Sequence, residues 1–142
     1  LIRQATLEDK PLAFGVIDID KFKTINDTWG HHFGDIVIKR LCLCLAPQMG
    51  ERDLLSRFGG EEFVVVFWDC TLAQAWPRLD ALRAAFGAIA FQVAPGDERR
   101  FSFSGGLAAF PAQRSENELF VQADAMLYTA KQGGRNRICP AR

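Results

Sequence analysis

Asp53-Leu54-Leu55-Ser56-Arg57-Phe58-Gly59-Gly60-Glu61-Glu62-Phe63-Val64-Val65-Val66-Phe67 is the segment on which the fold turns. It opens as a short extended run and closes as a β-branched and aromatic one. The Gly59-Gly60 pair between them reads as a tight hairpin turn, with glycine supplying the positive φ angles that a primed turn demands. The second strand is apolar on both faces, as in a central strand covered on each side. Yet Glu61 and Glu62 stand at its entrance, where burial without a partner is costly. Taken alone they read as the solvated tip of a hairpin; as part of a site they would present charge to a metal ion.

Outward from this hairpin the chain alternates elements. Residues 12–18 are an apolar run ending in carboxylates, residues 20–33 read as a polar loop with glycines, and residues 34–49 carry Ile36, Val37, Leu41, Leu45 and Met49 at helical spacing. Thr71 is placed to cap a helix through Leu72, Ala75, Leu79, Leu82 and Phe86, which Pro77 must bend or delay. Residues 88–93 and 101–107 look like a strand pair around Pro95-Gly96-Asp97. Residues 116–132 form a last helix that Gly133-Gly134 ends. The order β-α-β-β-α-β-β-α predicts an α+β layer architecture, an antiparallel-rich sheet covered by helices.

Composition narrows the function classes. The chain has 142 residues, the size of a single compact domain, and its 17 basic and 17 acidic residues cancel. No global field recruits nucleic acid or a membrane surface, so an anionic ligand must be held by a local cluster. The four cysteines, Cys42, Cys44, Cys70 and Cys139, fit neither a zinc knuckle nor a disulfide framework and read as reduced and mostly buried, in a cytoplasmic setting. No apolar stretch approaches the length of a membrane span, and no segment reads as a signal peptide. The start at Leu1 suggests a fragment of something longer.

Three places carry chemistry. In Asp18-Ile19-Asp20-Lys21-Phe22-Lys23 an apolar strand runs into alternating acids, and Asp18 and Asp20 fall on one side of an extended chain. Facing a second acid pair at the hairpin, they make an oxygen-rich site of the kind Mg²⁺ prefers. In residues 26–35, Asn26, Asp27 and Asp35 are suited to a nucleobase edge, because a carboxylate matches guanine's adjacent N–H donors; an Asx turn and a helix start explain them equally well, and His31 and His32 read as loop residues. In Lys131-Gln132-Gly133-Gly134-Arg135-Asn136-Arg137 the cations either complement a helix C-terminus or clamp a polyphosphate.

The stretches DIDKFKTINDTWGHHFGD (residues 18–35), RFGGEEF (57–63), FSGGLA (103–108) and ADAMLYTAKQGGRNR (123–137) together resemble the ordered motifs of GGDEF domains, the diguanylate cyclases, in the GGEEF form. The resemblance runs from about Leu12 to Ile138 and implies a palm-like, mostly antiparallel five-stranded sheet with the GGEEF hairpin at the active site. It implies condensation of two GTP molecules into cyclic di-GMP and two pyrophosphates by a homodimer, with Mg²⁺ or alternatively Mn²⁺. Asp18, the Ile19 carbonyl and Glu61 would hold the metal, with Glu62 or Asp20 assisting, and Glu61 would help deprotonate the attacking 3′-hydroxyl. Asn26 and Asp35 would read guanine, with His31, Gly59 and Gly60 beside the substrate. Phe22 and Lys23 would contact the triphosphate, and Lys131 and Arg135 would hold its β- and γ-phosphates. The alternative is a non-catalytic module that senses GTP or cyclic di-GMP; its intact acids and guanine readers weigh against that.

Two departures from the family pattern stand out. The product-inhibited members carry Arg-x-x-Asp upstream of the hairpin, where this chain has Gly50-Glu51-Arg52-Asp53. The aspartate is present without its arginine, with Arg52 shifted by two, so high-affinity product inhibition there is expected to be weak or absent. Residues 1–10 replace the family's longer opening helix, which implies truncation inside it and loss of the link to an upstream sensory domain.

Overall fold

The protein is described by a computed structural model over residues 1–140. Its elements run α1 (Ile2–Glu8), β1 (Leu12–Ile19), α2 (Phe22–Trp29), α3 (His31–Leu45), β2 (Leu54–Arg57), β3 (Glu62–Trp68), α4 (Leu72–Gly87), β4 (Phe91–Ala94), β5 (Asp97–Arg99), β6 (Phe103–Phe110), α5 (Glu116–Gln132) and β7 (Ile138–Cys139). The main sheet has the order β2-β3-β1-β6-β7; β1 is antiparallel to both neighbours and β7 is parallel to β6, so the expected antiparallel-rich sheet is mixed at one edge.

Period-two alternation divides the core into two layers. Ala13, Ile17 and Ile19 of β1, with Phe63, Val65 and Phe67 of β3, pack against α3 and α4. Leu12 and Val16, with Val64 and Val66, pack against α1 and α5. Both central strands are buried on both faces, which is why they read as continuous apolar runs. The same parity puts Asp18, Glu62 and Ser104 on the α5 side, where they align across β3, β1 and β6. Gly106 is needed there: a Cβ on it would lie 2.0 Å from the Ala123 carbonyl oxygen, so α5 rests directly on β6.

Several sequence expectations are corrected. The Gly59-Gly60 hairpin forms, but not as a primed two-residue turn: neither glycine lies in the left-handed region, and a wider loop spans residues 58–61. Arg57 holds that loop from inside, donating from Nε to the Gly59 and Gly60 carbonyls at 3.2 and 3.1 Å and from Nη2 to Gly60 at 2.6 Å. Residues 20–33, expected as loop, contain α2 and the first turn of α3, joined through Gly30 at φ 91°, so His31 is helical. The helix expected to reach Met49 ends at Leu45 and passes into a single 3₁₀ turn, Ala46–Gln48. The strand pair expected from residues 88–93 and 101–107 is instead β4 with β5, a separate two-stranded sheet, while β6 joins the main sheet. Helix α4 starts on the predicted Thr71, in a reciprocal capping box with Gln74, and continues through Pro77 without delay. Cys70 and Cys139 are buried, Cys42 and Cys44 half-buried, and all four thiols are free.

Candidate active site

Asp18, near the end of β1, is only 5% exposed. Its Oδ2 accepts an ion pair from Lys131 Nζ of α5, whereas its Oδ1 is buried with no hydrogen-bond partner among the described residues. Burial pushes the carboxyl above its ordinary range; Lys131 pulls it back down, and Glu61 and Glu62 push it further up. The hairpin loop lies alongside, because the Ile19 N–H donates to the Glu61 carbonyl at 3.3 Å. On the other side of the loop, Phe58 donates its N–H to the Glu62 carbonyl at 2.8 Å and sets its ring 5.2 Å from that of Phe120 on α5.

This donor set fits a hard cation. A buried carboxylate oxygen without a partner, flanked by two further carboxylates, lacks positive charge. Among the described residues no three His, Cys, Asp or Glu side chains converge on one point. Such a site would take a metal through one or two carboxylates and a carbonyl, with substrate phosphate and water completing the shell, the usual arrangement for Mg²⁺.

A second orphaned acceptor lies on α2. Asn26 Oδ1 is buried without a partner, pressed against α3 where Gly34 provides space: a Cβ on Gly34 would sit 1.9 Å from that oxygen and 3.0 Å from Phe22 Cζ. Asp35 follows Gly34 on α3 and is exposed, as is His31 at the start of the same helix. Lys23 projects into solvent and pairs with Asp27 one turn on, at 3.1 Å.

The third cluster follows α5. Gly134, Arg135 and Asn136 all have left-handed backbone, at φ 119°, 65° and 48°, and the Arg135 N–H closes back on the Ala130 carbonyl at 3.0 Å. Lys21, Thr24, Trp29, Arg100 and Arg135 line a cavity of about 350 Å³ between this turn and the start of α2. Arg135 lines this cavity, and Lys131, in the last turn of α5, is paired with Asp18. Asp20, expected to assist a metal, has both its oxygens engaged by Ser102, Ser104 and the Asn136 backbone. Sequence reasoning missed those three partners; the Ser-x-Ser spacing entering β6 was the available signal.

The Gly50-Asp53 segment is held by bonds within the protein. Asp53 accepts from the N–H groups of Gly50 at 2.7 Å and Trp68 at 2.8 Å and from Arg78 at 3.0 Å. Arg52 turns away to Glu8 and stacks on Trp68, 3.8 Å from the ring centroid.

Comparison with known proteins shows the family and the fold. The family described as "Diguanylate cyclase, GGDEF domain" matches residues 1–137. Among curated relatives, the response regulator PleD of Caulobacter vibrioides is 40% identical over 97% of this chain and 31% of its own length. The diguanylate cyclase DosC of Escherichia coli is 33% identical over 96% of this chain and 30% of its own length. The chain thus spans about a third of these relatives. Among solved structures, the GGDEF domain of DgcB from Caulobacter crescentus in complex with c-di-GMP superposes with a TM-score of 0.90 at 30% identity, covering 96% of this chain and 78% of that one. The active GGEEF domain of a diguanylate cyclase from Vibrio cholerae does so at 0.88 and 29%, covering 96% and 86%. With the family pattern spanning nearly its whole length and the same fold recurring in these structures, the chain belongs to the GGDEF domain family.

Proposed function

We propose that this chain is a catalytic domain that condenses two molecules of GTP into cyclic di-GMP and two pyrophosphates, each of two facing domains holding one GTP. The observation that carries the reading is the bare, buried Asp18 Oδ1 beside the hairpin that bears Glu61. Asp18, the Ile19 carbonyl and Glu61 would hold Mg²⁺, or Mn²⁺ in its place, with Glu62 adding negative charge. The metal, when bound, polarises the α-phosphate and lowers the pKa of the attacking 3′-hydroxyl.

The remaining work belongs to the protein's own groups. Glu61 takes up the proton of the 3′-hydroxyl as the oxygen attacks the α-phosphorus, and pyrophosphate leaves in line. Asn26 Oδ1 accepts from a guanine N–H, and Asp35 accepts from the adjacent pair of donors, which fixes the base. Phe22 presents its backbone N–H and Lys23 its ammonium to the phosphates, so that charge developing on the α-phosphate meets a cation already in place. Arg135 and, once released from Asp18, Lys131 receive the β- and γ-phosphates, while Gly59 and Gly60 let the substrate approach the hairpin backbone and His31 borders the base pocket. Two-fold pairing follows from the chemistry, because each bound 3′-hydroxyl needs a second bound α-phosphate. In the longer protein an upstream sensory domain would set that pairing, and the reaction would take place in the cytoplasm. Among the described residues no helix is long and apolar enough to cross a membrane.

The reading is tested by thermal denaturation with GTP and Mg²⁺. A rise in melting temperature that Asn26→Ala removes supports it, and no shift at millimolar GTP refutes it.

A further inference from the structure

Asp20 is a buried carboxylate that the proposed chemistry does not use. It is 8% exposed, and both its oxygens are satisfied: Oδ1 accepts from Ser104 Oγ at 2.6 Å, and Oδ2 accepts from Ser102 Oγ at 2.6 Å and the Asn136 backbone N–H at 3.0 Å. Ser104 Oγ also accepts from that N–H, at 3.1 Å. The contrast with Asp18, two residues earlier, is direct: one carboxylate has an oxygen to spare and the other has none. Asp20's bonds go to the two serines entering β6 and to the turn that follows α5, so its carboxylate is held between the sheet and that turn.

That turn needs an anchor. Arg135 and Asn136 are not glycines, yet both hold left-handed backbone directly after Gly134, a conformation that persists only where the surroundings enforce it. The Asp20 carboxylate takes the N–H of the second of them, and Arg83 bonds the Asn136 side-chain oxygen at 2.8 Å from the other side. Arg135 stands between these two holds and lines the cavity with Lys21 and Arg100.

We propose that Asp20 is a positioning residue that locks the Gly134-Arg135-Asn136 turn so that Arg135 meets the terminal phosphates of the bound nucleotide, and that it is not a metal ligand. Ser102 and Ser104 complete the lock by fixing the carboxylate on the sheet. This rests on the substrate reading above, since it supposes a nucleoside triphosphate in the site.

The experiment is a calorimetric double-mutant cycle on the whole chain with Asp20→Ala, Arg135→Ala and the double variant, each titrated with GTP and with GMP across a series of Mg²⁺ concentrations. Expected is a weakening of GTP by about tenfold in Asp20→Ala, the loss of one charge-assisted contact. GMP binding and the half-saturating Mg²⁺ concentration stay unchanged, and the double variant is no weaker than Arg135→Ala alone. An Asp20 effect that adds in full to that of Arg135, or a half-saturating Mg²⁺ concentration that rises severalfold, overturns the positioning role while leaving the substrate reading intact. Wild-type chain that binds neither nucleotide overturns both. Should Asp20→Ala fail to fold, Ser104→Ala serves in the same cycle: it removes a hydroxyl held by Asp20 without touching any proposed ligand, and the same non-additivity with Arg135→Ala is required of it.

Discussion

Lys131 and Asp18 are ion-paired across the end of the sheet although 113 positions separate them in the chain. The carboxylate is buried and the ammonium is about one-third exposed, at 8% and 32% of side-chain area. One cation therefore answers only half of a desolvated acid, whose other oxygen is bare. A protein keeps such an arrangement where function requires it, at some expense in stability.

Asp18→Asn tests that trade. It removes the buried charge and leaves an ammonium that can turn to water, so the chain without divalent cations should be as stable as wild type or more so. We expect a gain of about 1 kcal/mol, or roughly 2–5 °C in melting temperature. The extra stabilisation that Mg²⁺ and GTP give the wild type should vanish in the variant. Scanning calorimetry with and without ligand reads both, and a marked fall in the metal-free melting temperature would show the pair to be net stabilising.

Gly34→Ala is expected to damage binding and spare the fold. The added methyl would sit 1.9 Å from Asn26 Oδ1 and must push that side chain aside. In the helix itself alanine is better than glycine by up to about 1 kcal/mol. The expectation is a loss of GTP affinity of about tenfold, matching Asn26→Ala, with melting temperature nearly unchanged. Unaltered GTP affinity would remove Asn26 from the base pocket.

Much of this was legible in the sequence, for local reasons. β1 and β3 announce themselves by continuous apolar runs, and α4 by its Thr71 cap. Helix α2 was hidden because Thr24, Asn26, Asp27 and Thr28 are poor helix formers and no side chain caps its start; its helicity comes from burying Ile25 and half-burying Phe22 against the core. The wide hairpin loop was missed because two adjacent glycines permit a primed turn without requiring one, and Arg57 enforces the other choice. Within the site, residue types were legible and pairings were not. Asp20 reaches partners 82, 84 and 116 positions away, and Lys131 reaches back to Asp18, which only the folded sheet brings about.

The Gly50-Asp53 corner yields a pH prediction. Burial raises the Asp53 carboxyl, but the Trp68 and Gly50 N–H groups and Arg78 outweigh it, and the net value lies below the ordinary 3.8. A carboxylate depressed in the folded state adds stability that is present above its unfolded pKa and is lost as pH falls through the folded value. Asp53→Asn should therefore cost about 2 kcal/mol at pH 7, and the gap should close as pH drops below the unfolded pKa of about 4. Urea titrations across that range read this, and a gap that does not narrow would contradict it. With Asp53 so occupied, Arg52 diverted to Glu8 and no arginine at Gly50, cyclic di-GMP is expected to bind this corner weakly. Submicromolar binding abolished by Asp53→Ala would refute that.

The most direct measurement is product formation from GTP and Mg²⁺ by wild-type chain and Glu61→Ala, at concentrations where light scattering shows a dimer. The account predicts cyclic di-GMP and two equivalents of pyrophosphate from the wild type, none without divalent metal, and none from Glu61→Ala even though it still binds GTP. A dimeric, GTP-binding wild type that makes no product, or a Glu61→Ala variant that makes it at an undiminished rate, would contradict it.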